Sequence, residues 1–301
     1  MKWEFAYDSP KAIAQLLGER DFAMTKKFGQ NFLLTTSIRE KIVSLLSLTA
    51  GNRVLEIGPG IGSITTLLLE QEVDLTVFEI DHGFCDILRE EAFGSHPNFT
   101  LVEGDALKTL FPHLKRVGTV DRICGNLPYN VGTILVARLL ESEHRPPLMV
   151  FTLQKEVADR LAASERSKEW SAISLLAQAD YDITTAATIP PSAFYPPPTV
   201  ESSIVLFTLR TESRVPPHLR ESFSIIRGDL FAQRRKTILN NVRSGKSGAL
   251  LGKEGVAALF AESGVEENKR AEALGWDEFL ALSAALYTGR ANRSGDTQRD
   301  R

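Results

Sequence analysis

Short apolar runs separated by longer segments of helical pattern constrain the fold of this chain more than any other feature. Five runs of strand length follow one another between residues 53 and 153, with the sequences RVLEIG, LTVFEI, FTLVEG, RICGNL and LMVFTL. More than ten residues separate each run from the next, and most of these carry apolar side chains at helical spacing. This alternation predicts consecutive βαβ units and therefore an α/β fold with a doubly wound parallel sheet.

The pattern changes in the second half of the chain. After Tyr181, two β-branched runs, YDITTAATIP and VESSIVLFTLR, flank the proline-rich PSAFYPPPT, which predicts an antiparallel edge hairpin. From Pro216 to Tyr287 the period is helical. We therefore predict four parts: an N-terminal extension over 1–25, a parallel-sheet domain over 26–213, a small all-helical domain over 214–290, and a flexible tail over 291–301.

Composition limits the classes of protein that need considering. The 301 residues are 43% hydrophobic and 24% charged, as in soluble globular proteins with room for two cores. Neither a signal peptide nor an apolar run of membrane-spanning length is present, and Cys85 and Cys124 form no C-x-x-C pair. We expect a cytoplasmic protein with reduced thiols and no membrane partner.

The first predicted strand leads into a glycine-rich turn, LEIGPGIGSIT. Gly58, Gly60 and Gly62 give the spacing G-x-G-x-G between a strand and a helix, where backbone can approach a ligand closely. Ser63 occupies the place of the third glycine of a dinucleotide fingerprint, which argues against NAD. With Glu56 two residues earlier, the string resembles the S-adenosylmethionine loop of Rossmann-like methyltransferases. A turn that is glycine-rich only for packing is the alternative.

Polar side chains follow the next three strands. Glu79 stands where a carboxylate accepts ribose hydroxyls, and Asp105 stands where an acid can accept the adenine amine. The alternatives are a solvated strand-end charge for Glu79 and a helix cap for Asp105. Because ligands bind beyond the carboxyl ends of parallel strands, we expect Gly58, Glu79, Asp105 and Asn126 to face one crevice.

The peptide NLPYN, residues 126–130, suits an acceptor that holds an amine. The Asn126 side-chain oxygen and the Leu127 carbonyl can accept the two protons of an adenine amine and direct its lone pair at a methyl donor. Pro128 stiffens the turn, and Tyr129 can stack on the base. An ordinary Asn-Pro turn with a packed tyrosine is the alternative.

Six motifs in order give the chain a family resemblance. KKFGQNFL, EIGPGIG, GDAL, NLPYN, FYPPPTVES and RRKTILNN resemble those of the small-subunit ribosomal RNA adenine dimethyltransferases, the KsgA family, over roughly 26–287. The resemblance implies a Rossmann-like, S-adenosylmethionine-dependent methyltransferase sheet with a small helical C-terminal domain. It also implies dimethylation of two adjacent adenosines near the 3′ end of small-subunit rRNA, late in subunit assembly.

The same resemblance extends the site. Asn31 and Leu33 are implied as cofactor contacts, and Phe194 as a ring that packs on the target base opposite Tyr129. An aromatic plug beneath the proline-rich loop is the alternative for Phe194. After NLPYN the chain departs from the family pattern, with Val131–Ile134 (VGTI) in place of hydroxyl residues and proline, which questions where the following helix begins.

The net charge of −3 does not suggest an RNA-binding protein, but the cations are unevenly distributed. Residues 227–246 contain six cationic side chains and a single acidic one, Asp229. We predict a helix that presents these cations together. The predicted RNA-binding residues are Lys26, Lys27, Arg227, Arg234, Arg235, Lys236 and Arg243. The expected partner is rRNA within a pre-assembled small subunit, bound by a monomer.

Three other functions remain open on the sequence alone. One is a large-subunit rRNA adenine methyltransferase of the antibiotic-resistance type. Another is a non-catalytic RNA-binding assembly or transcription factor on the same fold, although a pure binder has no use for Asn126, Tyr129, Glu79 and the glycines together. A methyltransferase of small molecules is the last, and it would have no use for basic C-terminal helices.

Overall fold

The structure is a computed structural model that describes residues 3–19 and 31–299. The chain divides into two compact units, one comprising 1–158 with 182–209 and the other comprising 159–181 with 210–301. The sequence pattern places residues 159–181 in the first domain. They belong instead to the second unit, because Trp170 and Leu175 are fully buried in its apolar core.

The first unit is built on a seven-stranded sheet with the strand order β4-β3-β2-β5-β6-β9-β7. A separate two-stranded sheet pairs β1 with β8. The strands are β1 (Phe32–Leu33), β2 (Arg53–Ile57), β3 (Asp74–Glu79), β4 (Phe99–Glu103), β5 (Arg122–Asn126), β6 (Leu148–Gln154), β7 (Tyr181–Ile189), β8 (Phe194–Tyr195) and β9 (Ser202–Leu209).

Strand direction follows the predicted βαβ pattern. β2 pairs in parallel with β3 and β5, β3 with β4, and β5 with β6, whereas β9 runs antiparallel to β6. The predicted edge pair is therefore only partly at the edge, because β9 lies inside the sheet between β6 and β7. Their burial explains this order: β9 is almost continuously buried, whereas most residues of β7 are exposed or only partly buried, as suits an edge.

Helices connect these strands and surround the second core. They are α1 (Pro10–Glu19), α2 (Thr36–Leu45), α3 (Thr65–Leu69), α4 (His82–Asp86), α5 (Ala106–Val117), α6 (Tyr129–Glu141), α7 (Lys155–Leu161), α8 (Ala172–Asp180), α9 (Arg220–Leu230), α10 (Ile238–Ser244), α11 (Lys246–Ser263) and α12 (Trp276–Arg299). Within the described residues, no helix has both the length and the apolar character to cross a bilayer.

The described part of the N-terminal extension packs on the first unit. Its helix α1 buries Ile13 and Leu17 on one face, in a cluster with Phe32 and Phe84. One face of the amphipathic stretch SPKAIAQLLGER therefore packs against the first unit.

The second unit is helical and has its own core. The rings of Phe223 and Trp276 stack with centroids 5.9 Å apart, and Trp170 meets Trp276 edge to face at 6.1 Å. A bidentate ion pair between Arg220 and Asp180, with N–O distances of 2.7 and 3.0 Å, joins α9 to the end of α8.

One local prediction for this unit is wrong. The cation-rich stretch after Arg227 predicts a continuous helix, but residues 231–237 form a turn segment between α9 and α10. The buried amide of Asn241 explains the turn, because its Nδ2 donates to the carbonyls of Leu230 at 2.8 Å and Gln233 at 3.1 Å. Those carbonyls therefore bond to a side chain instead of to helical N–H groups.

Candidate cofactor and active site

A cleft opens at the carboxyl edge of the parallel strands in the first unit. Side chains and backbone from four strand ends and from β1 line it. It brings together nearly all of the residues predicted for cofactor and chemistry: Asn31, Leu33, Gly58, Glu79, Asp105, Asn126, Leu127, Pro128 and Tyr129.

The strand register explains why residues so distant in sequence meet there. Ile57 lies beside Phe78, one residue before Glu79, and Asn126 ends β5 beside Thr152. Parallel strands in register bring their carboxyl ends to the same edge, so each following turn contributes to one crevice.

The glycine-rich turn adopts a backbone that side chains would disturb. At Gly62, φ is +88°, and a Cβ atom would lie 2.5 Å from the ring of Phe93. Gly60 also has a positive φ, of +55°, and its N–H donates to Oε2 of Glu79 at 3.0 Å. This bond ties the turn after β2 to the carboxylate that ends β3.

Glu79 is a buried carboxyl with backbone donors arranged around it. Besides Gly60, the N–H groups of Ile80 and Asp81 donate to its Oε1 at 2.8 and 2.9 Å. Burial raises the pKa of Glu79 to about 7, against the lowering effect of these three bonds. A group of this kind, poised in a cleft, is typical of a ligand-binding carboxylate.

A second buried carboxyl, Glu56, lies beneath the glycine turn. Its Oε2 accepts the hydroxyl of Thr65 at 2.6 Å, and burial raises its pKa to about 8. Glu56 lines the cleft but was not among the predicted site residues, although its place before the first glycine marks the loop.

Asp105 caps a helix and also lines the cleft. Its Oδ1 accepts the N–H of Leu107 at 2.9 Å and so caps α5, and the residue also lines the cleft. The cap is observed in the structure, and an adenine contact is compatible with it because a carboxylate has further acceptor positions.

Asn126 has a fixed amide orientation at the cleft. Its Nδ2 donates to the backbone carbonyl of Asn31 at 2.8 Å. The side-chain oxygen of Asn126 is therefore directed away from the Asn31 carbonyl. Pro128 caps α6, and α6 begins at Tyr129 in spite of the departure from the family pattern, since the N–H groups of Val131 and Gly132 donate to the Pro128 carbonyl. The amide therefore lies on a rigid strand-to-helix turn.

Tyr129 is half-buried at the same turn. Its hydroxyl and the Ser202 Oγ lie 2.6 Å apart, which joins α6 to the start of β9, and burial raises the pKa of the phenol. The ring lines the cleft and stays neutral at physiological pH.

The ring of Phe194 is buried in the first unit. The β1–β8 pairing sets Leu33 opposite Phe194, so the backbone does bring this residue to the cofactor side of the unit. Its ring, however, is only 2% exposed and packs in the apolar core instead of lining the cleft. This burial is what the aromatic plug of the alternative hypothesis requires, because a phenyl ring is more stable among apolar side chains than in water. The base-stacking role of Phe194 stays a prediction.

Several apolar residues of the cleft were not predicted, among them Phe32, Phe84 and Ile80. Phe32 and Phe84 meet edge to face with centroids 5.6 Å apart, and Ile80 is 40% exposed directly after Glu79. Ile80 could have been predicted from the sequence, because an apolar side chain directly after a strand-end acid can cover a planar base. The approach of Phe32 to Phe84 depends on the tertiary fold and left no local signal.

The predicted RNA-binding cations lie elsewhere. Arg227 is on α9, Arg234, Arg235 and Lys236 are exposed on the 231–237 turn, and Arg243 is exposed on α10, all within the second unit. Lys26 and Lys27 fall outside the described residues.

The cleft suits S-adenosylmethionine on chemical grounds. A tight glycine backbone, a buried carboxyl that can accept hydroxyl protons, and apolar side chains able to cover an adenine ring are the groups that an adenosyl cofactor requires. The parallel sheet with an added antiparallel strand and this cleft at its carboxyl edge define an S-adenosylmethionine-dependent methyltransferase.

Comparison with known proteins identifies the family. Residues 21–287 match the family model described as ribosomal RNA adenine dimethylase. The ribosomal RNA small subunit methyltransferase A of Treponema denticola is 42% identical over 92% of this chain and 94% of its own length. The protein of the same name from Geobacter sulfurreducens is 38% identical over 87% and 94%. The chain belongs to the ribosomal RNA adenine dimethylase family.

Solved structures agree on the fold. A dimethyladenosine transferase from Plasmodium falciparum superposes with a TM-score of 0.69 at 22% identity, covering 85% of this chain and 97% of that one. The 23S rRNA methyltransferase ErmE gives 0.63 at 22% identity, covering 85% and 99%. These structures confirm the predicted fold class, and the family model and the relatives confirm the rRNA adenine dimethyltransferase family and its cofactor.

Proposed function

We propose that this chain dimethylates the exocyclic amines of two adjacent adenosines near the 3′ end of small-subunit rRNA, late in the assembly of that subunit. It acts as a monomer in the cytoplasm, and its substrate is the rRNA within a pre-assembled small subunit. The observation that carries the proposal is the Asn126 amide, held at the cleft by the carbonyl of Asn31.

The chemistry of an adenine amine explains why such an amide is needed. The lone pair of this nitrogen is delocalised into the ring, so the amine is a poor nucleophile. Acceptors on both of its protons favour a pyramidal nitrogen and direct the lone pair along one line. With Nδ2 of Asn126 already donating to Asn31, its Oδ1 is the natural first acceptor, and the Leu127 carbonyl is the second.

The remaining residues hold the two reactants in place. When bound, S-adenosylmethionine would supply a methyl group to the amine nitrogen from its positively charged sulfur and would leave as an uncharged thioether. Glu79 and Asp105 hold the adenosyl part, and the glycine turn approaches it with backbone. The amine proton becomes acidic once the nitrogen carries the methyl group and leaves to solvent, so positioning and electrostatics provide the catalysis.

Tyr129 is the proposed stacking surface for the target base. Its hydroxyl is bonded to Ser202, which fixes the plane of the ring at the cleft. Base–aromatic stacking contributes about 1–3 kcal/mol and tolerates any base, so selectivity for adenine rests on the acceptors at Asn126 and Leu127.

The small-subunit substrate rests on the names of the curated relatives, which favour it over the large-subunit alternative. The exposed cations of the second unit supply a phosphate-binding surface on a chain whose net charge is −3. Because that surface is small, modest affinity for naked RNA and tighter binding to the assembled particle are expected.

The test supplies labelled S-adenosylmethionine to small subunits that lack these methyl groups, and the modified nucleosides are identified after digestion of the rRNA. Wild type is expected to give dimethyladenosine in small-subunit rRNA and none in large-subunit rRNA. Asn126→Ala is expected to lose turnover by at least about 100-fold, with cofactor affinity changed by no more than a few fold.

Asn98→Ala is the matched control, since Asn98 precedes β4 at the opposite edge of the sheet from the cleft. Near-normal turnover by Asn126→Ala would remove the amine-holding role. Label in large-subunit rRNA would replace the proposed substrate, and particle binding without methyl transfer by the wild type would favour a non-catalytic assembly factor.

A further inference from the structure

The N-terminal segment, residues 3–19, contacts the backbone of the cofactor loop, residues 58–63. The hydroxyl of Tyr7 donates to the carbonyl of Ile61, 3.2 Å away, and lies 3.1 Å from the Oγ1 of Thr66. Thr66 in turn donates to the carbonyl of Gly62 at 3.1 Å. Because each hydroxyl has one proton, these donations leave the Tyr7 and Thr66 oxygens as close neighbours, and together the two side chains reach two consecutive carbonyls of the loop.

The position of Tyr7 is fixed from several sides. Tyr7 is only 7% exposed, and its hydroxyl accepts the indole N–H of Trp3 at 2.9 Å. The Arg39 guanidinium lies over its ring, 5.3 Å from the centroid, and donates to the Ser63 carbonyl at 3.4 Å. Tyr7 is thus part of a buried network that spans the loop from Ile61 to Ser63.

The helix of the same segment supports the aromatic wall of the cleft. Ile13 and Leu17 are buried in one cluster with Phe32, Phe84 and Ile61. Phe32 and Phe84 line the cleft, and Phe32 lies against Gly60, where a Cβ atom would be 3.2 Å from its ring. The packing of α1 therefore acts on the same loop that Tyr7 holds by hydrogen bonds.

We propose that the N-terminal segment is a built-in support of the cofactor loop, with Tyr7 as a positioning residue for S-adenosylmethionine binding. The glycines of the loop have no side chains that fix their backbone, and three of them adopt positive φ. Such a turn loses more conformational entropy than others when it becomes ordered, and a loop held in place before binding has less to lose. This inference rests on the proposed cofactor cleft.

Tyr7→Phe removes the hydroxyl and keeps the ring. Loss of one buried hydrogen-bonding group corresponds to an affinity change of about threefold to tenfold. We expect the Kd and KM for S-adenosylmethionine to rise by that factor, with kcat at saturating cofactor and KM for the ribosomal particle unchanged. Hydrogen exchange at residues 60–66 is expected to become faster in the free protein.

Ser9→Ala is the matched control. It removes the side-chain acceptor for the Ala12 N–H at the start of α1, within the same segment and without contact to the cofactor loop. If Tyr7→Phe and Ser9→Ala lower the melting temperature alike and neither changes the KM for the cofactor, the segment is structural only and the proposal fails.

A second variant separates this proposal from the cleft itself. Glu79→Ala is expected to lose cofactor binding, measured by calorimetry, far more severely than Tyr7→Phe. Loss in Glu79→Ala without any change in Tyr7→Phe would overturn the positioning role alone. Wild-type cofactor affinity in Glu79→Ala would overturn the proposed cleft and this inference with it.

Discussion

At the scale of single residues, Glu79 is one of two buried carboxyls of the cleft, the other being Glu56, whose pKa lies near physiological pH. Burial opposes the ionised form of Glu79, while the N–H groups of Gly60, Ile80 and Asp81 favour it, and the balance leaves its pKa at about 7. With its pKa near 7, the Glu79 carboxyl changes its fraction of ionised form when a hydrogen-bond donor binds to it. Ribose hydroxyls donate hydrogen bonds, so a bound cofactor should stabilise the carboxylate and lower this pKa.

The sign of the resulting pH dependence follows directly. A ligand that prefers the carboxylate binds fully above the pKa and loses affinity as the pH falls through it. We expect the Kd for S-adenosylmethionine to rise by about threefold to tenfold between pH 8 and pH 6, measured by isothermal titration calorimetry. Glu79→Gln removes this titration and should bind weakly, with only the pH dependence that the ligand and Glu56 retain. Equal pH profiles for wild type and variant would contradict the role of Glu79.

At the scale of elements, the sequence predicted those strands and turns whose conformation depends on neighbouring residues. The short apolar runs predicted the strands of the parallel sheet, and the spacing of Gly58, Gly60 and Gly62 predicted a turn whose backbone can approach a ligand. The burial of Phe194 and the turn over 231–237 were not predictable. Both depend on partners distant in sequence or on side-chain competition for backbone: Phe194 on the core that closes over β8, and the turn on Asn241.

Asn241 sets the geometry of the proposed RNA-binding turn. Asn241→Ala leaves the carbonyls of Leu230 and Gln233 without their buried donor, which should cost about 1–3 kcal/mol in the free energy of unfolding. Because the turn then loses its fixed shape, binding to small subunits should weaken severalfold. Urea titration and a particle-binding assay measure the two effects. The exposed neighbour Asn240 offers a matched control, because Asn240→Ala should change neither the free energy of unfolding nor particle binding. Equal effects from both variants would show that the turn does not depend on the Asn241 amide.

At the scale of the whole molecule, the sequence predicted two cores and a helical second unit but assigned residues 159–181 to the wrong one. Nothing in the local pattern of these residues distinguishes a helix that covers the sheet from one that packs on α9. The assignment is decided by Trp170, which meets Trp276 more than one hundred residues away. The net charge is equally uninformative about location, because a value of −3 for the chain does not show that exposed cations are grouped on the second unit.

That surface, rather than the net charge, should govern association with the ribosomal particle. Arg235 and Lys236 are exposed on the 231–237 turn, whereas Arg234 also donates to the Lys168 carbonyl and is better left intact. Reversing both to Glu should weaken small-subunit binding by about tenfold or more at physiological salt. The slope of log K against log salt concentration should fall by about two, one for each phosphate that the variant no longer neutralises.

The control for this variant must change the net charge equally at another place. Lys41→Glu with Lys115→Glu does so on α2 and α5 of the first unit, where both side chains are exposed. If overall charge governed binding, the two double variants would weaken it alike. If the turn is the phosphate-binding surface, only the Arg235 and Lys236 variant loses affinity and salt dependence, while both retain cofactor binding because the cleft lies wholly in the first unit.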